Sequence, residues 1–407
     1  MDRLPDPRNP EQRVYSTAHL VWLGTSMFLM HLDSRRQLRQ ERRTDAFRLN
    51  LEKLSGQSGV GTVADTDTLG YFAERMPPEA MEGLLASMTR RLIRSKALDA
   101  FRLYGAFTVA IDGCEVCTFD HEPWPGCPHR RLADGTTQYF KSVIDAKLVT
   151  PSGLALTLAT ETLTNEGHDL FDKQDCELKA FGRLVAKLRA LFPRTPLVLL
   201  LDSLYANQNV FRLVESNRWK YVVNFKEGSM PERFAEAQAL MALQPENALR
   251  TPFNDKPQSF RWINDLPVAE FAPAVIECIE QPPDEEPTRY VWLTNFRITP
   301  KNVSEIANHG GRLRWKIENE GFNVQKNDGY CMAHPFSEHP NGSRVFYVLL
   351  LIAHLLSQLI LHGSLIESLA RTFESAKNFA RRLAESLRHW IVPDVLPMPG
   401  QIRFRPP

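Results

Sequence analysis

The chain lacks the marks of several protein classes. It has only six cysteines in 407 residues, too few for a disulfide scaffold, so a reduced, cytoplasmic setting is expected. The segment from Met1 to Arg13 is polar, charged and proline-containing, without the basic-then-apolar layout of a secretory leader. No apolar run reaches the roughly 20 residues of a bilayer span. The longest, Phe346 to Leu361, is interrupted by His354, Ser357 and Gln358 and reads as a core helix. There is no internal repeat and no low-complexity tract. An excess of one charge is also missing, the formal net charge being +1, so only local clusters of charge bear on a nucleic-acid partner.

What is present describes an ordinary folded protein. Hydrophobic residues make up 43% of the chain, enough for a large core, and the length suggests two or three domains. Basic clusters occur at Arg35, Arg36, Arg39, Arg42 and Arg43, at Arg90, Arg91, Arg94 and Lys96, and at Arg381, Arg382 and Arg388. A solvated helix face is the plain reading of each cluster taken alone.

The texture changes along the chain. Residues 1–105 are helical in spacing. From 106 strand-like runs take over, at Phe107 to Ile111, Thr137 to Val149 and Leu154 to Thr160, with Pro151-Ser152-Gly153 as a turn. A helix is predicted from Cys176 to Phe192, then a strand ending at Asp202, a short helix around Val210 to Ser216, and a strand from Lys220 to Lys226. Three strands, a helix and a fourth strand is an order shared by many α/β domains, among them the ribonuclease H-like core. Residues 228–288 are proline-containing and strand-prone and read as a mainly β insertion. Residues 289–370 return to the core, with a strand at Arg289 to Phe296 and a helical segment opened by Thr299-Pro300-Lys301-Asn302. Residues 371–407 form a C-terminal tail.

Three carboxylates stand out. Asp112 and Asp202 each end an apolar run, and Glu318 lies in Arg314-Trp315-Lys316-Ile317-Glu318-Asn319-Glu320-Gly321-Phe322-Asn323. On an α-helix, Arg314 and Glu318 stack one turn apart on a single face. Two strand ends and a helix carrying carboxylates suit a pair of Mg²⁺ ions. If the strands bearing Asp112 and Asp202 are neighbours, their carboxylates meet at one edge. The long interval between Asp202 and Glu318 fits the insertion.

These strings resemble a bacterial insertion-sequence transposase of the Asp-Asp-Glu class, in the group with a Tyr-x₂-Arg-x₃-Glu-x₆-Lys signature and a β-strand insertion in its catalytic core. The similarity is strongest at Arg314 to Asn323 followed by Lys326-Asn327-Asp328-Gly329-Tyr330. Ser34-Arg35-Arg36-Gln37-Leu38, Lys173-Gln174-Asp175-Cys176-Glu177 and Asp202-Ser203-Leu204-Tyr205-Ala206-Asn207 add to it. The resemblance implies an α/β fold with a ribonuclease H-like catalytic core, preceded by a helical DNA-binding region. It implies DNA transposition by two-metal chemistry, with Asp112, Asp202 and Glu318 as catalytic residues holding Mg²⁺, for which Mn²⁺ could substitute. Arg314, Lys326 and the segment Arg35, Arg36, Arg39, Arg42 and Arg43 would bind DNA, with a steep dependence on salt. At least a dimer on the paired transposon ends and a bacterial, nucleoid-associated location are further implications. A ribonuclease H-type nuclease without joining activity and a catalytically silent, transposase-derived DNA-binding protein are the alternative functions.

Two signature positions depart from the pattern. The tyrosine position is Gly311, and the lysine position is Gln325, with Lys326 one residue late. Glu320 competes with Glu318, but on an α-helix it sits about 200° around from it. Asp112 before Gly113 also matches a turn aspartate, and Asp202 a helix cap. Asp145 is read as structural, and Asp175 and Glu177 as first-turn residues complementing a helix dipole. Cys114, Cys117, Cys127 and His129 approach a structural zinc spacing. That site requires the first strand to end near Asp112, and zinc is not expected.

Overall fold

A computed structural model describes residues 1, 4–165, 176–282, 285–364, 373–393 and 402–404; Lys173, Gln174 and Asp175 lie outside the described residues. The N-terminal helices are α1 (Thr17–Leu29), α2 (Arg35–Glu41), α3 (Asp45–Ser55), α4 (Thr66–Arg75) and α5 (Pro78–Arg94). The sequence sets their starts, because Ser16, Ser34, Thr44 and Asp65 each accept a backbone N–H of the first turn, which satisfies donors a helix leaves open. α1 is buried almost all round.

The molecule has a mixed α/β architecture around one ten-stranded sheet. Its strands are β1 (Phe107–Phe119), β2 (His129–Arg131), β3 (Thr137–Val149), β4 (Ala155–Thr162), β5 (Leu197–Leu201), β6 (Lys220–Asn224), β7 (Ala248–Phe253), β8 (Lys256–Ile263), β9 (Ala274–Glu280) and β10 (Thr288–Thr294). β1, β5 and β6 are parallel neighbours. β3 runs antiparallel to β1, and both β2 and β4 pair with the other edge of β3. Beyond β6 the sheet continues antiparallel through β10, β9, β8 and β7. The strands of residues 228–288 thus extend the same sheet. Helix α6 (Glu177–Leu191) joins β4 to β5, and α7 (Gln208–Ser216) joins β5 to β6. That stretch also holds α8 (Pro231–Leu243), which begins with proline in its first turn, where a missing N–H costs nothing.

Helix α11 (Pro340–His362) follows α9 (Val303–Asn308) and α10 (Asn323–Asn327) and packs against α1, α4, α5 and β4. It is the one helix among the described residues long and apolar enough to cross a membrane, and most of it is buried inside the protein. Its apolar length is therefore used to join the N-terminal helices to the sheet.

Two expectations are corrected. β1 does not end near Asp112 but continues to Phe119, with a bulge between Glu115 and Cys117. Gly113 carries no turn there, being absent from the glycines with positive φ. The segment bearing Arg314 and Glu318 is not one α-helix. Gly311–Trp315 is a 3₁₀ turn, Ile317–Phe322 is π-helical, and α10 follows.

Candidate active site

The sheet brings Asp112 and Asp202 level. β1 and β5 pair from Phe107 with Leu197 to Ala110 with Leu200. Carried two residues further, that register sets Asp112 beside Asp202, on backbones that lie about 5 Å apart in paired strands. Asp202 has just left β5, where it caps a 3₁₀ turn and accepts the Ser203 amide at 2.7 Å. Burial works to raise its carboxyl, but the Ser203 amide, Arg314, Lys226 and Asn224 outweigh it and hold Asp202 below the ordinary range. Asp112 is different: burial pushes it up to about 6, Arg314 opposes the rise, and the charges of Glu177 and Asp202 add to it.

Arg314 is buried and donates from Nη1 to Asp112 Oδ2 at 2.9 Å. The extended part of the sheet holds it there. Gly311 lies against the indole of Trp292 on β10, so closely that a Cβ would meet Nε1 at 2.4 Å. Arg312 pairs with Glu280 on β9 and lies over the Tyr290 ring. The 3₁₀ turn is thereby gripped on one side while Arg314 reaches into the core.

Glu318 and Lys326 are both exposed, yet both belong to the Asp112 face of β1. Asp112 and Cys114 are two residues apart on one strand and so share a face. The Lys326 ammonium lies beside the Cys114 thiol, which also feels Glu318. Gln325, the signature lysine position, is instead wholly buried and bonded to His354 Nδ1 at 3.0 Å. The π turn accounts for this offset. Its i→i+5 pattern inserts one residue relative to an α-helix, so the residue two turns beyond Glu318 is Lys326 rather than Gln325.

Glu177, read from the sequence only as a first-turn residue, is the carboxylate whose approach to the site that reading did not include. It opens α6, accepts the Tyr205 hydroxyl at 2.5 Å, and presses on Gly113, where a Cβ would meet Oε2 at 2.5 Å. Gly113 faces the side of β1 opposite Asp112, so Glu177 acts from behind the strand. The buried Tyr205 hydroxyl feels Glu177, Asp112 and Asp202 together. The available signal was glycine immediately after Asp112, which leaves room for a neighbour as well as for a turn.

The remaining candidates are placed as follows. Asp145 is fully buried between Lys147 Nζ at 2.6 Å and the Tyr347 hydroxyl at 2.8 Å, a structural arrangement. Arg39 pairs with Asp65 and Asp67, and Arg42 with Asp65 and the Val63 carbonyl. Arg35 lies over the Phe346 ring. Those three tie α2 to its neighbours, while Arg36 and Arg43 are exposed. Cys114 and Cys117 both lie on the continuing β1, and Cys127 bonds weakly to the Phe140 carbonyl. His129, on β2, sits against the Tyr139 ring. Among the described residues, no three His, Cys, Asp or Glu side chains gather closely enough to hold a metal ion as they stand.

No family model matches this chain, and no curated protein matches it significantly.

Proposed function

We propose that the chain is a DNA transposase of the Asp-Asp-Glu class, cutting the ends of an insertion sequence and joining the freed 3′-hydroxyl to target DNA. The observation that carries this reading is the shared level of Asp112 and Asp202 on parallel neighbours. The strand order β4-β3-β1-β5-β6, with β5 and β6 parallel to β1, supports a ribonuclease H-like core.

Asp112, Asp202 and Glu318 would hold Mg²⁺, or Mn²⁺ in its place. The donor set is carboxylate oxygen, which suits a hard divalent cation. Asp112, raised to about 6 chiefly by burial and further by the charges of Glu177 and Asp202, is a group that a cation would relieve. The chemistry that two such ions would supply there is activation of an attacking oxygen and stabilisation of a leaving one. The chain's own residues supply orientation. Arg314 fixes the Asp112 carboxylate, and Ser203 and Asn224 fix that of Asp202. Lys326, free to reach solvent beside Glu318, would meet the phosphate of the scissile strand.

One observation favours a second reading, a silent DNA-binding descendant of such an enzyme: Arg314 already neutralises Asp112. A nuclease that cuts without joining differs only in lacking strand transfer. Cleavage of labelled DNA carrying the sequences that flank the gene, with Mg²⁺ or Mn²⁺, tests all three. The transposase reading expects cutting and joining by the native chain and neither by Glu318→Gln, with DNA binding kept. Cutting without joining selects the nuclease, and binding without cutting selects the silent protein.

A further inference from the structure

We propose that the groove beside Asp202, between α6 and α7, holds a DNA strand, with Lys226 and Lys179 taking its phosphates. The inference rests on the function proposed above and names where the substrate runs. The groove holds about 940 Å³, and among the described residues Asp202 is the only acidic one in its wall. Lys179 projects from α6 and Lys226 follows β6. Both are exposed, and neither forms an ion pair among the described residues. Lys226 lines the same groove as Asp202. Its charge is thus available at the edge of the candidate centre, whereas that of Arg314 is spent on Asp112.

The rest of the wall suits bases better than a metal or an acidic peptide. Leu204 is 49% exposed and Leu178 40%, apolar surface in a wall that also includes Ser203 and Gln208. A single nucleic-acid strand asks for this division: cations for the backbone, and apolar and amide groups for base faces and edges. Among the described residues, two cations without ion pairs and one carboxylate at the reacting end give the groove the charge pattern of a strand path that leads to the scissile bond.

The test is the salt dependence of binding, measured without divalent metal, of the full chain on a labelled DNA duplex that carries the gene's flanking sequence and a single-stranded extension. The double variant Lys179→Gln/Lys226→Gln is expected to bind more weakly, with the slope of log affinity against log salt reduced by about 0.7 for each lysine. Arginine at both positions should restore it. Both side chains are exposed, so circular dichroism and melting should match the native chain. An unchanged slope in the glutamine variant overturns the groove, as does a change confined to the oligomeric state, which would assign it to a protein partner. Cleavage of the same DNA with Mg²⁺ separates the two readings. Cutting with an unchanged slope removes the groove and keeps the enzyme. A reduced slope without cutting keeps the groove and removes the enzyme.

Discussion

Arg314 and Asp112, far apart in the chain, form a 2.9 Å ion pair in which the arginine side chain is 8% exposed and the aspartate 23%. Removing one partner of a pair this sheltered leaves a charge without its counter-ion, which costs more than the pair itself contributes. Arg314→Ala should lower unfolding stability by about 2–3 kcal/mol. Arg314→Lys should recover only part of that, since an ammonium lacks the guanidinium's fixed fork. Denaturant unfolding measures both, and a loss below about 0.5 kcal/mol, the level of an exposed pair, would mean that the pair does not hold the segment.

Asp112 also makes stability depend on pH. Burial, opposed by Arg314 and aided by Glu177 and Asp202, pushes it from 3.8 up to about 6. The folded protein therefore holds this proton more tightly than the unfolded chain. Its contribution is complete below about pH 4 and is lost as pH rises through 6. A displacement of this size is worth about 3 kcal/mol. Subtracting the unfolding free energy of Asp112→Asn from that of the native chain isolates the effect. The difference should move in favour of the asparagine variant between pH 4 and 7, and a flat difference would place Asp112 in an ordinary environment.

Two glycines in the site should respond unequally to the same added methyl. At Gly311 a Cβ meets the Trp292 ring at 2.4–2.9 Å, and that ring is 2% exposed and has nowhere to go. At Gly113 it meets the end of Glu177, a side chain held by the Tyr205 hydroxyl rather than by a packed ring, which can shift at the loss of one hydrogen bond. Gly311→Ala should cost about 1–3 kcal/mol, and pairing it with Trp292→Leu should recover part of the loss. Gly113→Ala should cost less in stability while disturbing Glu177. Equal losses at the two positions would contradict the difference in rigidity.

Much of this arrangement was legible in the sequence. The apolar runs ending at Asp112 and Asp202 located two strands, and Phe346 to Leu361 located the core helix, because burial on both faces leaves a continuous apolar record. What escaped depended on tertiary neighbours. Asp112-Gly113 has the composition of a turn, and only the pairing with β3 carries the strand on through it to Phe119. The π turn was hidden because the spacing of Ile317 and Phe322, which matches a π rather than an α period, is a single pair, too short a record to reveal a change of helix type. The same turn explains Lys326, whose one-residue offset looked like a departure from the pattern. Helix α8 was missed for another reason, since prolines around it masked a proline used as a helix start.

Glu177 should matter to the chemistry although it lies behind β1. Its carboxylate is tethered by Tyr205 and its charge reaches Asp112. Groups of this kind commonly change metal affinity or activity by about 10–100-fold when removed. Glu177→Gln, which keeps the volume, should raise the Mg²⁺ concentration needed for half-maximal DNA cleavage and leave metal-free DNA binding unchanged. Tyr205→Phe should shift it in the same direction. An unchanged Mg²⁺ requirement in both variants would confine Glu177 to a structural role.

The π turn makes the most specific prediction. Gln325 is anchored in the core by His354, so α10 keeps its orientation whatever happens before it. Deleting the exposed Asn319 removes the extra residue and lets Ile317–Phe322 close as an α-helix, with the stretch from Glu318 to the lysine again spanning about two turns. The deletion variant should fold, keep the lysine on the face of Glu318, and retain DNA cleavage within about tenfold, a factor worth 1.4 kcal/mol. The exchange Gln325→Lys/Lys326→Gln should do the opposite. It drives an ammonium into a position that is 0% exposed with a neutral histidine as neighbour, an uncompensated buried charge costing several kcal/mol. Melting temperature and cleavage rate, measured on both variants, decide the matter. If the exchange is tolerated and the deletion is not, the one-residue offset of Lys326 has another cause than the π turn.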